Sequence, residues 1–409
     1  MSADSRVSLS PEWQRAFTWV EACVGGKIAR YERQPRWRPA WNFDVERAGR
    51  ILPLHFRGAR IERGVYPLER EKDVLVLLER EGIPVPHVHG FCPDPQGILM
   101  DRAPGRANLA TAKDEAERES VQRHYMELLA RMHAIDVARC EAIGMARPRN
   151  AEELARGDLD FYLAPFREGK QQPEPLIELA LRWLARRAPR ERKDVAFLTG
   201  DAGQFVFEHG RVTAVLDLEL ACLGDPLADL GALRSRDLSE PLGDLSRAVR
   251  HYESLRGPAD RAVVDYHTAR FALCTPLAVA NLFARPPAWL DLVQYTAWYH
   301  VYGRAALEAI ALCEGIALDP PSLPAPAPAL AAPGTGFDGY ARDAERRVAT
   351  WRARRAQHGE ALEALALRND DPAREAEMLR ALHRRCLREE ALLQPVLREL
   401  EGVAIQRIQ

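Results

Sequence analysis

Paired cysteines are missing from this sequence. Its seven cysteines are scattered, none falls in a CxxC spacing and the count is odd. That speaks against a disulfide framework or a zinc site and for reduced thiols that mostly fill core. Long apolar runs are missing too, since none approaches the roughly 20 residues a helical membrane span needs. Neither sign of charge prevails: 57 Lys and Arg against 59 Asp and Glu leave a formal net charge of −2. The arginines are spread along the chain, so no nucleic-acid surface and no acidic tail is indicated. The opening MSADSRVSLSPEWQRAF lacks the charged-then-apolar form of a secretory signal. A cytoplasmic protein with neither nucleic acid nor membrane as partner is the expectation. No GxxxxGK[ST] phosphate loop and no GxSxG elbow occurs anywhere, which removes the P-loop and serine-hydrolase readings.

What is present is a chain of 409 residues, 47% hydrophobic, long enough for two or three globular domains. The first hundred residues predict a small mixed domain. Residues 40–46 and 51–57 (AWNFDVE and ILPLHFR) read as a strand hairpin, followed by a helix in LEREKDVLVLLEREG with Leu68, Val74, Leu75 and Leu78 on one face. Gly82 ends that helix, and residues 87–90 and 97–100 read as further strands. After the break at Ala103-Pro104-Gly105 the pattern is mainly helical, over Pro175 to Arg187 and most of Asp244 to Leu318. The Pro/Ala-rich stretch from Asp319 to Gly336 reads as a linker. A charged helical tail follows, opened by Asp371-Pro372 and carrying a seam of Leu379, Leu382, Cys386, Leu393, Leu397 and Leu400. The expected division is thus 1–102, 103–318, 319–336 and 337–409.

The stretch LTGDAGQFVFEHGRVTAVLDLE, residues 198–219, raises the question of chemistry. A hairpin turning at His209-Gly210 pairs Phe207 with Val212 and, in unbroken register, Ala202 with Asp217. Asp201 and Asp217 then share the open end, with paired Cβ atoms roughly 5 Å apart in such ladders. Two readings stand at this point. Either two close carboxylates are gathered around a cation or divided by role, or each merely caps a turn or helix.

Three stretches together resemble the aminoglycoside phosphotransferase and choline kinase-like family, over roughly residues 25–315. LLARMHAID (128–136) is similar to the family's helix before the catalytic segment. TGDAGQFVFEHGRVTAVLDLELA is similar to its HGD…N loop followed by a D-x-E/D metal strand. CLGDPLADLG (222–231) looks like the Gly-Asp-Pro…Asp-Leu segment that normally comes next. The resemblance implies an α+β, two-lobed protein-kinase-like fold: a small β-rich N-lobe, a mainly helical C-lobe and, beyond the match, a helical C-terminal extension. It implies a phosphotransferase that moves a phosphoryl group from Mg²⁺-bound ATP or GTP to a hydroxyl of an unidentified small molecule. Asp201 becomes the catalytic carboxylate, Asp217 and Gln204 the metal ligands, and Glu219 an outer or second-metal group. Asp225 and Asp229 are expected to hold loops and helix starts. Arg57 stands where the family keeps a phosphate-binding Lys, with Glu71 as its ion-pair partner. Met100, Asp101 and Arg102 would form the hinge that meets adenine.

This sequence departs from the family at four places. Thr199 replaces the His of HGD. Gln204 lies three residues beyond Asp201, whereas the family's Asn lies five beyond. Where a glycine-rich loop should cover the phosphates stands RYERQPRWRPAWNFDVE, in which Arg33, Arg36 and Arg38 offer side-chain contacts and Trp37 and Trp41 read as packed aromatics. Arg57 replaces Lys and needs a different approach to phosphate. These departures support the alternative of a catalytically silent, kinase-like ligand-binding or scaffolding protein. The apolar seam of the tail fits packing on its own body or a homodimer equally well. Tyr295, Trp298, Tyr299 and Tyr302 read as a buried helical face, with an acceptor-pocket wall as the rival.

Overall fold

A computed structural model of the chain describes residues 9–34, 38–59, 65–238, 240–283, 292–319, 359, 362–367 and 371–408. Arg36, Trp37 and the expected linker from position 320 onward lie outside them. The chain divides into two compact units. The first comprises Met1–Arg149, Lys193–Asp229 and Ser239–Pro258; the second comprises Asn150–Arg192, Leu230–Leu238 and Ala259–Gln409.

The first unit opens with helix α1 (Pro11–Val24), started by proline in its first turn and stopped at Gly25, whose φ of 64° few other residues adopt. A five-stranded antiparallel sheet follows, built from β1 (Lys27–Arg33), β2 (Ala40–Arg47), β3 (Arg50–Gly58), β4 (Val88–Pro93) and β5 (Gln96–Asp101), in the order β1-β2-β3-β5-β4. Period-two alternation turns Trp41, Phe43 and Val45 of β2 to one face. There they meet Phe17 and Val20 of α1 in a closed apolar cluster. Trp41 is a packed aromatic, 5.2 Å from Phe17 and 5.4 Å from Trp13 by ring centroids. Helix α2 (Leu68–Arg80) buries Val74, Leu75, Leu77 and Leu78.

Helix α3 (Glu115–Met132) is capped at its start by Asp114, whose side chain accepts from the N–H of Glu117. Short helix α4 (Val137–Ala142) follows it. Later in the chain β6 (Ala196–Leu198) pairs with β9 (Cys222–Gly224), and between them lies the hairpin of β7 (Phe205–Glu208) and β8 (Arg211–Val215). His209 and Gly210 turn that hairpin with φ of 51° and 73°, the double positive φ of a two-residue loop matched to strand twist.

The second unit is helical among its described residues. Helices α5 (Ala151–Arg156), α6 (Leu159–Gly169), α7 (Pro175–Arg187), α10 (Arg261–Val279) and α11 (Leu292–Glu314) surround a core that includes Phe166, Trp183, Leu273 and Leu307. The C-terminal helix, Pro372–Ile408, is started by Asp371, whose carboxylate accepts from Ala373 N–H. Its Met378, Leu379, Leu382 and Cys386 are buried in that same core. Tyr299 is also core, with its hydroxyl donating to Glu174 at 2.7 Å, whereas Trp298 is exposed. Helix α8 (Leu227–Arg236) runs across the boundary in sequence between the units, and α9 (Leu245–Arg256) belongs to the first.

Candidate active site

The candidate site residues of the first unit come from the β7–β8 hairpin and its flanks, from β3, from α2 and from the connector before β2. The hairpin ladder begins as expected, with Glu208 opposite Arg211 and Phe207 opposite Val212. It then slips by one residue, because Val206 faces Ala214 and Phe205 faces Val215. Thr213 is the extra residue of this β-bulge, and its hydroxyl is drawn to the carbonyl of Pro104 at 2.5 Å. The unbroken register that would set Ala202 opposite Asp217 is therefore corrected. The last ladder bond runs from Leu216 N–H to the Gln204 carbonyl at 3.0 Å, and Asp217 follows in the left-handed region at φ 56°, ψ 55°. A non-glycine residue held there stores about 1 kcal/mol or more of strain, a cost that concentrates at functional positions.

At the same open end, on the strand-β7 side, the loop carrying Asp201 is held by one buried carboxylate. Asp229 Oδ2 accepts from the Thr199 N–H at 2.8 Å and from the Thr199 hydroxyl at 3.0 Å, while Oδ1 accepts from Gly200 N–H at 3.1 Å. His133, buried at the end of α3, lies 3.2 Å from the same Oδ2 and 2.7 Å from the Tyr252 hydroxyl. Gly200 has φ 79°, and a Cβ there would stand 2.3 Å from the Leu220 carbonyl, so no other residue fits. Tyr125 closes the loop from α3 by accepting from Gly203 N–H at 2.7 Å and stacking on Phe205. Thr199 thus braces the loop through its backbone and hydroxyl. His133 does more than pack a helix, because it touches the carboxylate that positions Asp201. Asp225 works in the same supporting way, accepting from Leu227 N–H at the start of α8.

Asp201 and Gln204 are brought together: the Gln204 amide nitrogen donates to Asp201 Oδ2 at 2.6 Å. Arg57, Glu71 and Asp217 are brought together as well. Arg57 Nε donates to Glu71 at 2.9 Å, and Nη2 is ion-paired with Asp217 and lies 3.6 Å from Glu219. Glu219 in turn is paired with Arg38. Burial works against the Arg57 charge, but Glu71, Asp217 and Glu219 more than offset it and hold the guanidinium protonated above the usual arginine range. Arg38 is moved the other way, by burial and then by the neighbouring Arg57 charge.

The hinge residues do not join this cluster. Met100 is buried in the sheet opposite His55 and Val88, and Arg102 pairs with Asp44 at 2.8 Å. The backbone N–H groups of Asp101 and Arg102 already donate to the His87 and Pro53 carbonyls at 2.9 Å. Among the described residues no group of three or more His, Cys, Asp and Glu is disposed around a metal position. The oxygen donors of Asp217, Glu219 and the Gln204 amide nonetheless suit a hard cation such as Mg²⁺. The guanidinium groups of Arg57 and Arg38 already rest on these two carboxylates.

The sequence profile of the phosphotransferase enzyme family (APH) matches residues 43–267, from β2 through this site and into α10. The chain belongs to this family. Phosphotransferase-family structures also give it its fold, the two-lobed protein-kinase-like α+β fold. The "putative aminoglycoside phosphotransferase" of Ralstonia eutropha aligns with TM-score 0.56 at 18% identity, over 74% of this chain and 98% of that one. Aminoglycoside phosphotransferase APH(4)-Ia, as a thermostable mutant in ternary complex with ADP and hygromycin B, aligns with TM-score 0.50 at 17% identity, over 73% and 96%. Among curated proteins, acyl-CoA dehydrogenase family member 10 of Mus musculus is 27% identical over 177 residues, 40% of this chain and 16% of that protein. Member 11 of Rattus norvegicus is 26% identical over 180 residues, 41% and 23% respectively. The chain matches less than a quarter of the length of these curated relatives.

Proposed function

We propose that the protein transfers a phosphoryl group from a magnesium-bound nucleoside triphosphate, ATP or GTP, to a hydroxyl of a small molecule. The observation that carries this reading is the brace on the catalytic loop. A buried Asp229 takes three donors from Thr199 and Gly200 and so fixes the backbone immediately before Asp201. Phosphoryl transfer asks the protein mainly for positioning and charge neutralisation, and this loop is built for positioning. Asp201 would orient the acceptor hydroxyl and take its proton. Gln204, bonded to Asp201, would limit that carboxylate to one geometry. Asp217, with the amide oxygen of Gln204, would hold the cation, which supplies neutralisation of the triphosphate when bound. Arg57, oriented by Glu71, would contact phosphate, and Met100 and Arg102 would border the purine. Residues 1–102 and 103–318 would serve as nucleotide and acceptor lobes. A fold neighbour solved in ternary complex with ADP and hygromycin B supports nucleotide use on this scaffold.

The guanidinium groups resting on Asp217 and Glu219 favour a second reading, a kinase-like protein that binds ligand without turnover. Nucleoside diphosphate release from Mg-ATP and Mg-GTP, followed across a panel of hydroxylated small molecules with Asp201→Ala as the control, separates the two. Acceptor-dependent release lost in Asp201→Ala supports transfer. Nucleotide binding without release from any acceptor supports the silent protein.

A further inference from the structure

Five charged side chains are connected by ion pairs in the first unit: Arg57 with Glu71, Asp217 and Glu219, and Glu219 with Arg38. Arg38 is 3% exposed and stands on the connector between β1 and β2, where the family would place backbone N–H groups over the phosphates. Both ends of that connector are tied down. Gln34 N–H donates to the Ala40 carbonyl and Gly58 N–H to the Pro39 carbonyl, each at 2.8 Å. The Arg38 guanidinium thereby meets the carboxylate of Glu219, in the 3-10 turn Leu218–Leu220 after β8, from a base held at Gln34 and Pro39.

Two arginines side by side repel, and burial deprives both of water. Neither arrangement would persist without the carboxylates they hold. A triphosphate offers the same arginines more anionic oxygens in the fork geometry they favour. Its arrival would leave Asp217 and Glu219 in need of another cation, which a magnesium–nucleotide complex brings with it.

Resting on the phosphotransferase reading above, we infer that Arg38 is an exchangeable counter-ion, paired with Glu219 and transferred to the donor's polyphosphate when the nucleotide binds. Arg38 is then a positioning residue that couples the two ligands. It keeps divalent cations off the carboxylates until phosphate has drawn it away. Removing its positive charge should therefore act on the two ligands in opposite directions, favouring the cation and disfavouring the polyphosphate.

The experiment measures two affinities of nucleotide-free protein by calorimetry, for wild type and Arg38→Gln: Mn²⁺ alone, and inorganic tripolyphosphate alone in chelator. Arg38→Gln is expected to bind Mn²⁺ about tenfold more tightly, because a like charge beside the cation is gone, and tripolyphosphate about tenfold more weakly. A merely structural role would weaken both or move neither, and either result overturns the inference. Tighter Mn²⁺ with unchanged tripolyphosphate also overturns it, since Arg38 would then never leave Glu219. Should Arg38→Gln lose its cooperative thermal transition, Glu219→Gln takes its place: removing the parking carboxylate should tighten tripolyphosphate binding, and unchanged or weaker binding contradicts the exchange. No turnover is involved. Opposite shifts without phosphoryl transfer to any acceptor would sink the functional reading alone. Transfer activity with parallel shifts would sink this inference alone.

Discussion

Asp229 lies 30 residues beyond Thr199 and takes both the N–H and the hydroxyl of that residue onto a single carboxylate oxygen, at 2.8 and 3.0 Å. The Thr199 hydroxyl, a short donor, completes this brace. Thr199→Val removes one of the donors and should cost about 1 kcal/mol. Asp229→Ala orphans Thr199 N–H, its hydroxyl and Gly200 N–H in a buried place, and should cost about 3 kcal/mol or more. It should also slow phosphoryl transfer roughly 100-fold through displacement of Asp201. Urea unfolding midpoints and single-turnover rates check both, and equal effects from the two substitutions would contradict the brace.

The Arg57–Glu71 pair yields a second expectation. Glu71 is 4% exposed and has Arg57 as its bonded cation at 2.9 Å. Arg57→Met leaves that carboxylate buried and uncompensated, which should destabilise the first unit by about 3–5 kcal/mol. Replacing both partners, Arg57→Met with Glu71→Leu, should recover part of the loss. A double variant no more stable than the single one would show that the pair is not the source.

The sheet hairpin, α2 and α7 are legible in the chain because each carries a local apolar period and a glycine or proline at its end. Helix α1 has the same marks, with Pro11 in its first turn and Gly25 after Val24, yet an opening segment read for a leader hides them. Strand β1 is illegible for a different reason: KIARYER is exposed or half-exposed throughout, so no alternation marks it. The bulge at Thr213 has its cause 109 residues away, at the Pro104 carbonyl, and local spacing cannot foretell it. In the candidate site, Asp201 and Asp217 stand out by their place at the open end of the hairpin, and Gln204 through the family resemblance. The pairing of Arg38 with Glu219 spans 181 positions and has no signature short of the folded chain. The hydrogen bonds of Tyr125 and His133 depend on where helix α3 lies against the loop, which no local spacing reports.

The C-terminal helix gives a third prediction. Leu379 is fully buried within the second unit's own core. Leu379→Ala should lower stability by about 2–5 kcal/mol, seen as an earlier thermal transition at any protein concentration. A helix that served only to join a second copy would instead show a loss that vanishes on dilution in wild type and variant alike.

Acid stability supplies a fourth. His300 on α11 is 2% exposed, and burial, with the Arg385 charge behind it, pushes its pKa down to about 3. The folded state keeps the imidazole neutral while the unfolded chain takes up its proton near pH 6.5. Stability from this group is therefore complete above that pH and is lost as pH falls toward 3, at up to about 1.4 kcal/mol per unit. His300→Gln should flatten the unfolding free energy between pH 6.5 and 5, above the range where carboxylates titrate. Identical slopes for variant and wild type in that window would contradict the assignment.

The central claim concerns what binds at Asp217. Calorimetric titration of ATP and GTP with Mg²⁺ into the wild-type protein and Asp217→Asn tests it most directly. The account predicts magnesium-dependent nucleotide binding in wild type and its loss in Asp217→Asn. No binding of either nucleotide to folded wild-type protein, or equal binding by the variant, would contradict it.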